Sequence, residues 1–279
     1  MGRKPPGSHF LEWSIDTPNN GILLLRSFFH QNRLLVTKPN ALADILVTNA
    51  YDFHKPKRIR KFLRHVLGDG LIMAEGESHR FQRKHLMPAF SFRHIKDLYP
   101  MMWTKAQALM DRMSLDIQEH PTKRQDVSMR KVTGTVEINN WASKITLDII
   151  GVAGLGRELN ALKNSDDQLV KDYEELLEPS SEKLLFFIMK AYVNARFTEM
   201  LPWKMNETFT KTTTSLRGIC RQMVREKREI MKSGEQHFDI LSLLIKSNDF
   251  SDEELVDQLL TFLAAGQDFL SALFHKEVR

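Results

Sequence analysis

Residues 67–91 read LGDGLIMAEGESHRFQRKHLMPAFS, and the fold is decided by how that stretch is interpreted. Gly68 and Gly70 mark a turn, and Gly76-Glu77-Ser78 opens a new element. A basic helix is expected from His79 to about Met87, because Pro88 biases the residue before it out of the helical region. His79 and Arg83 stand four apart, one above the other on a single helix face. An arginine held this way offers a planar fork to a carboxylate, and the histidine adds a second donor. On spacing alone, a solvated basic helix end is the simpler account.

The whole string carries more than the spacing. Gly76, His79, Arg83, Pro88, Ala89 and Phe90 fit in register the pattern Gly-x-x-[Trp/His]-x-x-x-Arg followed by Pro-Ala-Phe-Ser. That pattern resembles the C-helix region (79–87) of a cytochrome P-450, a microsomal-type haem-thiolate monooxygenase. The resemblance implies that His79 and Arg83 hold a haem propionate.

A second motif lies far away in the chain. Ser251-Asp252-Glu253-Glu254 is a capping box in which Ser251 and Glu254 satisfy each other's backbone donors. The helix it starts carries Leu255, Val256, Leu259, Leu260, Phe262 and Leu263, apolar nearly all round, so burial is expected. Ala264-Ala265-Gly266-Gln267-Asp268 follows. A glycine inside a helix costs roughly 1 kcal/mol against alanine, so something approaches that backbone closely. A tight helix crossing would do this. Residues 251–269 also resemble the start of the P-450 I helix, where Ala/Gly-Gly-x-Asp/Glu-Thr lies over the haem iron. By that resemblance Ala265 and Gly266 make room for dioxygen, and Asp268 relays protons. Phe269 stands where the resembled motif has its hydroxyl residue, a departure from the pattern.

Working outward, Lys4-Pro5-Pro6-Gly7 reads as a stiff linker within 1–10, similar to the Pro-rich hinge that follows a membrane anchor in microsomal members. The anchor itself is not expected in this chain. A β-hairpin is expected over 22–37 around His30-Gln31-Asn32, then a helix from Pro39 with Leu42, Ile45 and Leu46 as its apolar stripe. The basic run Tyr51–Arg64 reads as a solvated loop or short helix. Its aromatics, Tyr51, Phe53 and Phe62, are too few and too poorly placed for a nucleic-acid-binding arm. After Ser91 a helix should pass Pro100 and reach about Gln118, with Trp103, Ala106, Leu109, Met110 and Met113 on its core face.

Residues 137–152 form an amphipathic helix similar to the E helix, with Ile138, Trp141, Ile145, Ile149 and Val152 at helical spacing. The string Gly151-x-x-Gly154-x-Gly156 closes that helix, whereas a dinucleotide-binding glycine motif opens one, so nucleotide binding is rejected. Asp148 is expected to anchor backbone. Leu184–Val193 is either a core helix or, by resemblance, part of an F–G roof that can touch a membrane. Residues 210–232 make a long helix resembling G, with Leu216, Ile219, Cys220, Met223, Ile230 and Met231 inward and Arg221, Arg225, Lys227, Arg228 and Glu229 on its wet side. Gly234 caps it.

With 279 residues, the chain is long enough for a substantial core. It carries 40 basic and 35 acidic side chains, net +5, mixed in sign along the chain, which argues against a dedicated nucleic-acid binder. One cysteine excludes an internal disulfide and any multi-cysteine metal site. The fold class expected is mainly α, the N-terminal distal portion of the P-450 fold with a small β-hairpin. What the resemblance implies is haem as cofactor, O2, a lipophilic substrate, and an NADPH-dependent reductase docking on the basic C-helix region. It also implies the cytosolic face of the endoplasmic reticulum membrane. The proximal Phe-x-x-Gly-x-x-x-Cys-x-Gly loop is not found: around Cys220, Thr213, Leu216 and Gln222 occupy the places of the phenylalanine and both glycines. The expectation is that these 279 residues alone hold no cysteinate-ligated haem and turn over no substrate. A reading from another class is a non-catalytic helical protein acting through protein–protein contacts.

Overall fold

The computed structural model describes residues 7–26, 32–119, 135–163, 166–177, 180–192, 203–234 and 239–277. Within them, the side chains at 139, 177, 181, 191, 192 and 267–277 lie outside the description. The chain divides into two compact units, Met1–Lys55 and Pro56–Arg279.

The first unit holds α1 (Ser8–Asp16), strands β1 (Ile22–Arg26) and β2 (Asn32–Val36), and α2 (Pro39–Ala43), which runs on as a π-turn through Asp44–Thr48. The strands pair antiparallel with Leu24 opposite Leu34, as the expected hairpin requires. Gly21 closes the pair from below. Its φ is +91°, and its carbonyl accepts from the Thr37 and Lys38 amides. Leu42 and Leu46 of the expected stripe are both exposed. The expected hinge over 1–10 falls outside the described residues up to residue 6, and from Ser8 on it is not a linker but the first turn of α1.

The second unit is helical. In order come α3 (Lys57–Leu67), α4 (Gly76–Leu86) ending in a 3-10 turn at Met87–Phe90, α5 (Phe92–Glu119), and α6 (Ile138–Ile150) ending in a π-turn at Gly151–Leu155. Then follow α7 (Gln168–Leu177), α8 (Ser181–Tyr192), α9 (Lys204–Lys232), α10 (Ile240–Ser247) and α11 (Asp252–Glu277). The core is organised on α11. Leu255, Val256, Leu259, Leu260 and Leu263 are all buried there, against α6 on one side and α9, α10 and α3 on others. The capping box forms as expected: Ser251 N–H donates to Glu254 Oε2 at 2.8 Å.

Asp148 does what its place on α6 suggested. It is buried, and its two oxygens accept from Ala161 N at 2.6 Å and Leu162 N at 3.2 Å. The expected capping glycines are also in place. Gly156 adopts φ +65° at the end of the π-turn, and Gly234 adopts φ +87° after α9.

Four expectations are corrected. In α5, Leu109 is buried against Ile145 and Leu162, but Trp103 is 66% exposed and Met110 63%, because α6 and the short turns beside it cover only part of an apolar stripe that is wider than that contact. In α9, Lys227 is not on the wet side. It is buried, and its Nζ meets Asp239 Oδ2 at 2.9 Å. Ile230, expected inward, is exposed. The basic run before Gly68 is more than solvated charge. Arg60 donates to Met73 O at 2.8 Å and pairs with Glu75 at 3.0 Å, and Arg64 pairs with Asp69. Two of its bases thus clamp the segment leading into α4. As for α8, Phe186 is buried while Leu184, Leu185 and Ile188 are exposed. Val193 lies outside the described residues.

Candidate functional site

Helix α4 opens at Gly76, whose φ of +55° turns the chain into it. It ends at Leu86, where Pro88 leaves only a 3-10 turn. Its inward face is Gln82 and Leu86, both buried. One flank carries Phe81 and His85. Phe81 lies edge-on to Phe250 at 5.7 Å, and His85 Nε2 is 3.7 Å from Asp249. The opposite flank carries His79, half-buried, and Arg83, exposed. Among the described residues Arg83 makes no ion pair, in contrast to Arg80, which binds Glu77 at 2.6 Å. A guanidinium presented like this can take a carboxylate through two parallel bonds.

The second motif occupies the far part of α11. A Cβ built on Gly266 would lie 1.7 Å from Ile150 Cδ1 and 3.1 Å from Thr146 Cγ2. The missing side chain there is therefore demanded by the crossing of α6, the simpler of the two explanations the sequence allowed. Ala265 is exposed. One turn earlier Phe262 meets Phe90 edge-on at 5.8 Å, so the Pro-Ala-Phe segment after α4 touches α11 directly. The side chains of Asp268 and Phe269 lie outside the described residues.

What joins the two motifs is a set of polar contacts that the sequence reading missed. Gln258, 0% exposed in the middle of α11, donates through Nε2 to Gln82 Oε1 at 2.9 Å. Gln82, 4% exposed, donates in turn to Asp69 O at 2.9 Å, and Leu71 N–H donates to Gln258 Oε1 at 3.1 Å. Asp69 N–H donates to Asp257 Oδ2 at 2.8 Å, and Arg217 of α9 holds the other oxygen of that carboxylate at 2.7 Å. The glycines of the turn are required by this docking. A Cβ at Gly68, where φ is +68°, would fall 1.8 Å from Asp257 Oδ1, and one at Gly70 would fall 2.1 Å from Thr261 Oγ1. The signal available in the sequence was one amide, Gln258, set among leucines in a helix otherwise read as apolar. Gln82 on Gln258 and Phe90 on Phe262 bring residues 82–90 into contact with residues 258–262 at these two points. The two stretches thus touch, through residues other than His79, Arg83, Ala265 and Gly266.

The sequence profile of the family described as "Cytochrome P450" matches residues 23–272. The chain belongs to the cytochrome P450 family. Curated relatives agree. The chain is 38% identical to the cytochrome P450 monooxygenase ALT8 of Alternaria alternata, over 95% of this chain and 47% of that protein. It is 37% identical to the cytochrome P450 monooxygenase sphH of Aspergillus fumigatus, over 94% and 48%. To the cytochrome P450 monooxygenase FUM15 of Gibberella moniliformis it is 35% identical, over 95% and 45%. The chain thus spans about half the length of these fungal relatives and corresponds to their N-terminal portion. The mainly helical fold with its small antiparallel pair is the matching part of the P450 fold.

P450 proteins normally bind haem. Two features of this half bear on a carboxylate-bearing ring with an iron at its centre, Arg83 and Cys220. Exposed Arg83 is available to an anion, and exposed Phe90 and Ala265 offer apolar surface on the adjoining element. Cys220 cannot be an iron ligand. It is buried in α9, and burial pushes its thiol up to about 12. Among the described residues no cluster of three or more histidine, cysteine or acidic side chains could hold a metal ion, and no helix is long and apolar enough to cross a membrane.

Proposed function

We propose that this chain forms the distal half of a P450 haem pocket, with Arg83 and His79 holding a haem propionate. The observation that carries the reading is Arg83 itself: an exposed arginine with no ion pair among the described residues, on a helix tied to α11. Arg83 supplies the charge and the planar fork, and His79, one turn earlier, supplies a second donor. Ala265 keeps the oxygen side uncrowded, and Gly266 lets α11 and α6 close behind it. Asp268 is assigned the carboxylate that holds a proton for the oxygen side. The chemistry haem would supply is activation of O2, with electrons from NADPH through a reductase, to insert one oxygen atom into a lipophilic substrate. A thiolate ligand for its iron would come from residues other than these 279, since Cys220 is sealed inside α9.

Two surfaces extend the proposal. The basic outer side of α4, with Arg80 and Lys84 exposed, suits an acidic reductase face. Leu184, Leu185 and Ile188 on α8 give an apolar patch for the cytosolic leaflet of the endoplasmic reticulum.

The test uses metal-free protoporphyrin IX, so that axial ligation does not enter, and its dimethyl ester, whose propionates carry no charge. Binding is followed by porphyrin fluorescence. The free acid is expected to bind more tightly than the ester, and Arg83→Ala to weaken it about tenfold or more, the loss of one charge-assisted contact of roughly 1.5–3 kcal/mol. Equal affinity of wild type and Arg83→Ala for the free acid would remove the basis of the proposal.

A further inference from the structure

Two amides lie in the interior where apolar side chains would have packed. Gln258 and Gln82 are 0% and 4% exposed and come from positions 176 residues apart in sequence. Burying an amide is unfavourable unless its donor and acceptor are both used. Here both are, and in one direction: Leu71 N–H to Gln258 oxygen, Gln258 nitrogen to Gln82 oxygen, Gln82 nitrogen to Asp69 carbonyl. The chain of bonds starts and ends on the same turn, so neither amide can flip without facing like against like. Hydrogen bonds in such a series polarise one another.

Apolar contacts do not define rotation well, because a helix can turn a few degrees and still fill the same volume. Directional bonds do define it. Turning α4 by about 10° would move a side-chain atom at ~6 Å from the helix axis by about 1 Å. That is enough to spoil a bidentate arginine contact. Arg83 is the residue directly after Gln82, and His79 is three before it.

We infer that Gln82 and Gln258 are positioning residues: their bonded amides preset the rotation of α4 on α11, and with it the direction in which Arg83 meets an anion. This rests on the reading of Arg83 as a propionate anchor. It explains why polar groups occupy the interior where α4 itself meets α11.

The experiment is a cycle in protoporphyrin IX affinity across wild type, Gln82→Met/Gln258→Met, Arg83→Ala, and the triple variant. The paired methionines keep the volume and remove the direction. Affinity is expected to fall about fivefold in the paired variant with Arg83 present, and to be unchanged by the pair once Arg83 is alanine. An equal loss in both backgrounds would show general loosening and overturn the positioning role alone. If Arg83→Ala binds as wild type does, the anchor reading fails, and this inference with it. A second measurement needs no core variant. Porphyrin should slow exchange of the Leu71 amide in wild type and not in Arg83→Ala, because coupling between the two must be reciprocal. Unaltered Leu71 exchange on saturation would also overturn the inference.

Discussion

Replacing Lys227 by methionine tests the core of this structure most directly. Lys227 looks like one more charge on the solvated side of a long helix, yet its side chain is 6% exposed and that of Asp239 4%. Their atoms meet at 2.9 Å, and Asp239 also accepts from Ser242 N–H at 2.9 Å and Ser242 Oγ at 2.8 Å as it caps α10. The backbone of Gly156 seals the pair. A Cβ there would lie 2.2 Å from Lys227 Nζ and 2.5 Å from Asp239 Oδ2, so only glycine fits against the pair. Removing one partner of a buried pair typically costs 3–5 kcal/mol. Methionine retains most of the lysine stem and Asp239 keeps its two bonds from Ser242, so the low end, about 3 kcal/mol, is expected for Lys227→Met. At roughly 2–4 °C per kcal/mol for a chain near this size, Tm should drop by about 6–12 °C in a circular dichroism melt. Lys227→Met/Asp239→Ser, which retains a cap and removes both charges, should recover a good part of that. The comparison is Arg221→Met, which loses an exposed pair with Glu253 and should leave the melt nearly unchanged. A Lys227→Met melt indistinguishable from that of Arg221→Met would mean that Lys227 is solvated and that α9 and α10 do not meet as described.

Other expectations can be checked alongside. Gly266→Ala places a methyl 1.7 Å from Ile150 Cδ1, so overpacking of about 1–3 kcal/mol, less about 1 kcal/mol of helix propensity, should leave a net loss. Adding Ile150→Val, which deletes the clashing atom, should restore stability. A stabilising Gly266→Ala would contradict the tight crossing. Cys220, buried and with its thiol pushed up to about 12, should resist a disulfide reagent at pH 8 until urea unfolds the chain. Prompt labelling of folded protein would show that α9 is open. The bond from Arg221 holds the Glu253 carboxyl below its ordinary range. Its contribution is therefore complete above the unfolded value of about 4.3 and disappears as pH falls through the lower folded value. Because that side chain is 58% exposed, Glu253→Gln should flatten the acid limb of stability by less than about 1 kcal/mol, and identical limbs would mean the pair does not persist in solution.

Much of the fold and part of the site could be read along the chain because the signals are local. The capping box at Ser251, the helix stop imposed by Pro88, the glycine-closed end of α6 and the backbone anchor at Asp148 each depend on residues within about a dozen positions of one another. The register of His79, Arg83 and the Pro-Ala-Phe segment was enough to identify the family. What sequence spacing could not rank was which face of a helix its neighbours would cover. Trp103 and Met110 belong to an apolar stripe and remain exposed, because α6 spans only part of α5. Lys227 belongs to a charged stripe and is buried, because Asp239 and Gly156 arrive there from elsewhere.

Sequence alone therefore determined most of the helices after α1, several of their caps and the membership of the chain, all of which rest on short-range backbone chemistry. Only the tertiary structure decided that Gly266 makes way for Ile150, that Gly68 and Gly70 yield to Asp257 and Thr261, and that Gln82 and Gln258 bond across 176 residues. Each is a requirement set by an atom from a distant part of the chain, and no local pattern records which atom that will be.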